Sequence, residues 1–175
     1  MRKFSVFTTI TIAVLMLGAA TASAQTTTAK PPPTYEQVIV NTWKNLHNKI
    51  LTMAKDTVFP DAKLGYKPHP DSRSMYDEFR HVTIGLEMTT AQAKGEKYDF
   101  GAKEKEYDAR PQSRDAIVKE MEAAMAASFA LLDTPGNKPM PQLISWLDHQ
   151  GEHYGKLVTS YRVNGVVPPI SRPKS

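Results

Sequence analysis

Four stretches of this chain place apolar side chains three and four residues apart, and none alternates them with polar ones over strand length. That periodicity constrains the fold more than any other feature. Spacing of three and four lines one face of an α-helix, whereas a half-buried strand needs a period of two. Ile39, Trp43, Leu46, Ile50 and Met53 mark the first stretch, expected to be helical over 35–58 and stopped by Pro60. Met75, Phe79, Val82 and Leu86 mark the second, over 75–93. Ile117, Met121, Ala124, Met125, Phe129 and Leu132 mark the third, ending near Asp133. Leu143, Trp146, Leu147, Tyr154, Leu157, Val158 and Tyr161 mark the fourth, over 141–163.

Start and stop signals agree with these limits. Thr34 opens T-Y-E-Q, a hydroxyl N-cap with a glutamine three residues on. Ser74 opens S-M-Y-D, and Ser113 precedes the third stretch. Asn164-Gly165 ends the fourth, and Pro168-Pro169 forbids its return. The segments 60–73 and 94–112 carry no period and are expected to be surface connections. Four amphipathic helices without a strand signal argue an all-α chain, a four-helix bundle.

The N-terminus carries a different pattern. Arg2 and Lys3 precede an apolar run from Phe4 to Ala20, followed by Ala22-Ser23-Ala24. This is the layout of a secretory signal peptide over 1–24, which implies a periplasmic or secreted protein with no stable membrane insertion after cleavage. Residues 25–33, QTTTAKPPP, read as a flexible, proline-rich leader, and 34–175 as the folded domain. Removal of Arg2 and Lys3 takes the formal charge from +4 to +2, and no face carries a Lys/Arg stripe, so nucleic acid is not an expected partner. There is no cysteine, so neither a disulfide nor a covalent C-x-x-C-H haem site can form. Roughly 150 residues suffice for one ordinary hydrophobic core.

Within the fourth stretch, residues 149–155 read HQGEHYG. His149 and His153 stand one helical turn apart, about 40° apart on the wheel, so their rings can converge. They fall at the edge of the apolar stripe, where Gln142, Ser145 and Ser160 also point. An H-x-x-x-H pair is moderately specific for a metal, and an open zinc-type site needs a third protein ligand. His69 lies in a K-P-H-P loop, and His47, which could point inward, is read as a partly buried ordinary histidine. His81 is the strongest candidate, in mid-helix and off the apolar stripe, with Gly85 one turn later. Gly85 leaves space either for the imidazole or for close backbone packing, and the sequence does not separate these. Gly151 and Gly155 share a face pointing away from the histidines and are read as packing glycines. Asp77, one turn before His81, is a candidate to orient its ring, and Glu152 is a candidate general base, an orienting partner or plain surface charge.

His81, the H-Q-G-E-H-Y-G segment and Y-R-V-N-G-V-V-P-P at 161–169 together resemble the DinB/YfiT-like superfamily, most closely its exported branch. The resemblance runs from about Thr34 to Pro169. It implies an up-up-down-down bundle and a divalent ion, zinc or nickel foremost, held by His81, His149 and His153. It implies a homodimer as well, and Arg162 matches its Y-R motif and is read as making a structural ion pair, with contact to an anionic substrate as the alternative. The signal peptide departs from members that transfer thiols in a reducing cytoplasm, so that activity is not carried over. The expected function is an exported metal-dependent hydrolase or group transferase, with Glu152 and Asp77 moving protons for a small-molecule substrate. The alternative is a metal- or ligand-binding bundle without turnover.

Overall fold

The structure is a computed structural model that describes residues 30–136 and 140–173. The signal peptide expected at 1–24 lies outside the described residues. Everything regular among those residues is helical. The elements are α1 (Tyr35–Lys55), α2 (Met75–Ala93), α3 (Phe100–Asp108), α4 (Arg114–Asp133) and α5 (Met140–Val163), with 3-10 turns at Asp61–Lys63 and Pro169–Ser171.

The caps form where hydroxyl residues were expected. Thr34 Oγ1 accepts from Gln37 N at 3.2 Å, and Gln37 Oε1 accepts from Thr34 N at 2.8 Å. Ser74 and Asp77 make the same reciprocal pair at the start of α2, and Ser113 Oγ accepts from Ala116 N. Each satisfies backbone donors that the first helical turn leaves open.

Two boundaries differ from expectation. Helix α1 stops at Lys55, not at 58, because the chain leaves it in extended conformation at Asp56 and turns Phe59 into the core. Residues 100–108, expected to be irregular, form α3. Asp99 caps it by accepting from Ala102 N at 3.0 Å. Its only buried residue is Tyr107, so it has an anchor but no apolar stripe, and periodicity does not detect it.

The four long helices close a ring, in which α1 packs on α4 and α5, and α2 packs on the same two. Lys44–Asp133 at 2.5 Å and the Lys55–Glu122 ion pair make α1 and α4 antiparallel. Tyr161 Oη donating to Met53 O at 2.8 Å, and Lys49 over the Tyr154 ring at 5.8 Å, make α1 and α5 parallel. Contacts from Glu78 to His153 and from His81 to His149 make α2 and α5 antiparallel. In chain order the directions are therefore up, down, down, up. This chain order differs from the up-up-down-down order expected.

Trp43, Ile50, Met53, Phe59, Phe79, Val82, Leu86, Met121, Leu157 and Tyr161 fill the interior. Full burial of each large side chain stabilises the fold by roughly 1.5–3 kcal/mol. Trp43 Nε1 finds a partner within this core, donating to Ser128 Oγ at 3.1 Å. Arg114, at the start of α4, donates to Ala54 O at 2.6 Å and Phe59 O at 2.7 Å, which satisfies carbonyls released where α1 ends.

Candidate metal centre

Helices α2 and α5 run against each other with polar side chains along their seam. Gln150 lies at its middle, fully buried, with Nε2 donating to Val82 O at 3.3 Å. Its amide sits against Gly85, where an added Cβ would stand 2.5 Å from Gln150 Nε2. Gly85 thus makes room for a side chain from the facing helix, not for its neighbouring imidazole. A Cβ on Gly151 or Gly155 would meet nothing within 4 Å, so neither is the packing glycine expected.

One turn along the seam the three expected histidines come together. His81 Nε2 lies 3.3 Å from His149 Nε2, and His153 Nε2 lies 3.1 Å from it. One nitrogen from each ring falls within 4.8 Å of the others. His81 and His153 are buried and His149 is half-buried. Aromatic rings wall the cluster, with Phe100 of α3 edge-on to His81 at 5.1 Å and Trp146 edge-on to His149 at 5.0 Å.

The outward nitrogens settle the tautomers. His153 Nδ1 lies 2.5 Å from Glu78 Oε2, and His81 Nδ1 lies 3.3 Å from Glu104 Oε1. Ionised carboxylates only accept, so both Nδ1 atoms carry hydrogen, and whenever the rings are neutral both Nε2 atoms present lone pairs to the cluster. His149 Nε2 can donate to one of them at most. Converging lone pairs repel one another unless a cation sits among them. Two imidazole nitrogens bound to one ion at about 2.0–2.1 Å with a near-tetrahedral angle stand roughly 3.3–3.4 Å apart, close to the spacing here. The donor set therefore fits a divalent metal.

The electrostatics agree. Burial lowers the His81 pKa to about 4, helped by the Arg73 and His153 charges and opposed by Glu104. Burial and the His153 charge also lower His149, against the pull of Glu152. These two imidazoles are neutral near pH 7 and ready to bind. Burial raises the Glu78 carboxyl, but its hydrogen bond from His153 and the nearby cations outweigh that and hold it below the usual carboxylate range.

Glu78 and Glu104 were not singled out in the sequence. Glu78 precedes His81 by three residues and has its signal there, a carboxylate on the same helical face. Glu104 lies on the unexpected α3, 23 residues from His81, and had none. Asp77, expected to orient His81, instead accepts from Ser74 N at 3.0 Å and Ser74 Oγ at 2.7 Å. Glu152 is exposed beside the cluster and has no hydrogen-bond or ion-pair partner among the described residues.

The remaining histidines stay apart from the cluster. His47 is fully buried and donates from Nδ1 to Trp43 O at 2.8 Å, while His69 is exposed near Asp71. Arg162 is exposed and makes no ion pair among the described residues, against expectation, whereas Arg172, ten residues on, pairs with Asp56. No protein-family model matches the chain, and a search of curated proteins found no match.

Proposed function

We propose that this chain is an exported metal-dependent enzyme built on a four-helix bundle of the DinB/YfiT type, with His81, His149 and His153 holding zinc or nickel. The observation that carries this reading is the meeting of three imidazole nitrogens whose outer nitrogens are gripped by carboxylates. Such partners orient a ligand ring and strengthen its donor. Bound there, the ion supplies Lewis acidity to a substrate oxygen or to water, as hydrolysis or metal-assisted group transfer needs.

The residues divide the remaining work. Glu78 and Glu104 hold protons on His153 Nδ1 and His81 Nδ1 and so keep both Nε2 atoms available. Phe100 and Trp146 limit water around two of the rings. Glu152 has free carboxylate oxygens next to the half-buried His149 and is assigned the proton transfer, whereas the Asp77 carboxylate is engaged in its cap.

The test is turnover of a panel of small esters, amides and thioethers by metal-loaded protein. Glu152→Gln should lower kcat by roughly 10²–10⁴-fold with metal content unchanged. His149→Ala should lose both metal and activity. The burial of His81 and His153 also favours a second reading, a bundle that keeps its metal without turnover. One-to-one metal uptake with no activity against any substrate class would select it.

A further inference from the structure

Two clefts flank the histidine cluster and share one residue, Arg73. The first, about 440 Å³, is lined by Arg73, Arg80, His81 and Glu104 among others. The second, about 550 Å³, is lined by Pro68, Asp71, Ser72, Arg73, Glu78, Lys156 and Ser160. It lies beyond the His153–Glu78 pair, where the start of α2 faces the last turns of α5. Lys156 and Ser160 follow His153 by one and two turns, and Arg73 precedes the cap of α2.

The hydrogen-bonding capacity in this second cleft is one-sided. Its buried carboxylate, Glu78, is bound to His153 at 2.5 Å. Its other acid, Asp71, is almost wholly exposed and lies 3.6 Å from His69. Lys156 is exposed and has no hydrogen-bond or ion-pair partner among the described residues. Arg73 has one, Glu104 Oε1 at 3.3 Å, which leaves most of its guanidinium donors free. Ser160 is 4 % exposed as a residue, and its hydroxyl has no partner among the described residues. An ammonium, a guanidinium and two serine hydroxyls thus face a cleft whose buried acid is already engaged.

We infer that this cleft is the docking subsite for a small oxyanion headgroup, carboxylate or phosphate, of a substrate whose other end reaches the three-histidine metal. The inference rests on the metal reading above and names its substrate class as bifunctional anions. Lys156 and Arg73 pair with the headgroup, Arg73 through its planar fork, and Ser160 and Ser72 donate to its remaining oxygens. The headgroup binds one to two helical turns from His153, so the ligand needs a short spacer between its two ends.

The experiment uses cobalt(II)-loaded protein, whose visible spectrum reports ligands at the metal. It is titrated with propionate, succinate and 3-phosphonopropionate, which share a carboxylate for the metal and differ in the far end. Cobalt uptake is measured first. No uptake overturns the metal reading and this inference with it. With cobalt bound, succinate or phosphonopropionate should bind at least 10-fold more tightly than propionate, and the tighter of the two identifies the headgroup. Arg73→Gln and Lys156→Gln should each remove most of that preference, leave propionate binding and cobalt content unchanged, and Arg73→Lys should restore part of it. Equal affinity for all three anions, or a preference that survives both glutamine substitutions, overturns the subsite and leaves the metal site standing.

Discussion

His47 and His153 are both buried histidines, and their surroundings assign them opposite tasks. His47 donates to a carbonyl of its own helix and meets no carboxylate, and burial lowers its pKa to about 4 in spite of that hydrogen bond. The unfolded chain binds a proton at this residue near pH 6.5, so between about pH 6.5 and 4 it holds more protons than the folded chain. Stability from His47 is therefore complete above pH 6.5 and is lost as pH falls towards 4. Urea denaturation of metal-free protein at pH 7.5 and 4.5 should show the loss. His47→Leu should lose roughly 2 kcal/mol less than the wild type between those values. An equal loss in both would place the titration elsewhere. His153 has the Glu78 carboxylate where His47 has a carbonyl, and its Nε2 lies 3.1 Å from His149 Nε2, an arrangement that suits it to the proposed metal. Glu78→Gln and Glu104→Gln should each weaken zinc binding by about 10–100-fold in competition with a chromophoric chelator, with the helix content unchanged.

At the scale of the helices, two glycines, one on α2 and one on α5, should respond in opposite directions to the same substitution. Alanine is favoured over glycine in a helix by about 1 kcal/mol. Gly151→Ala meets open space and should stabilise the protein by about 0.5–1 kcal/mol. Gly85→Ala drives a Cβ into the Gln150 amide, which is fully buried and bonded to Val82 O. It should destabilise by about 1–2 kcal/mol in spite of the propensity gain, because the displaced amide loses its partner. Thermal melts of the two variants measure both. This contrast also shows what the sequence made legible. The long helices and their caps could be read because apolar spacing and hydroxyl caps are local signals. The burial of Gln150 and His153 on α5 could not. Helix α5 is covered by both α1 and α2, so its buried arc is wider than its apolar stripe and takes in polar residues. Helix α3 was missed for the opposite reason. It is held by pairwise contacts, with Tyr107 and Tyr98 donating to the two oxygens of Glu87 at 2.6 and 2.8 Å, and such contacts leave no period. The same helix brings Glu104 and Phe100 to His81, so its absence from the sequence reading left one wall of the site unseen.

For the whole molecule, the proposed metal site would couple metal binding to folding. Its ligands come from α2 and α5, and its supporting carboxylates from α2 and α3, so the unfolded chain has no equivalent site. An ion at 100 times its dissociation constant should add about 2.7 kcal/mol to stability. For a chain of this length that raises Tm by roughly 5–10 °C, and a chelator should reverse it. The histidine triad was readable from one i, i+4 pair and one mid-helix histidine, because the helical repeat fixes which side chains share a face. What no local pattern contained was that α2 and α5 would be neighbours running in opposite directions, which is what brings His81 to the pair. X-ray absorption at the metal edge of zinc-loaded protein measures that meeting most directly. The expected result is one ion per chain with three imidazole nitrogens at about 2.0–2.1 Å, falling to two or to no uptake in His81→Ala. A shell of oxygens alone, or the same spectrum in wild type and His81→Ala, would contradict it.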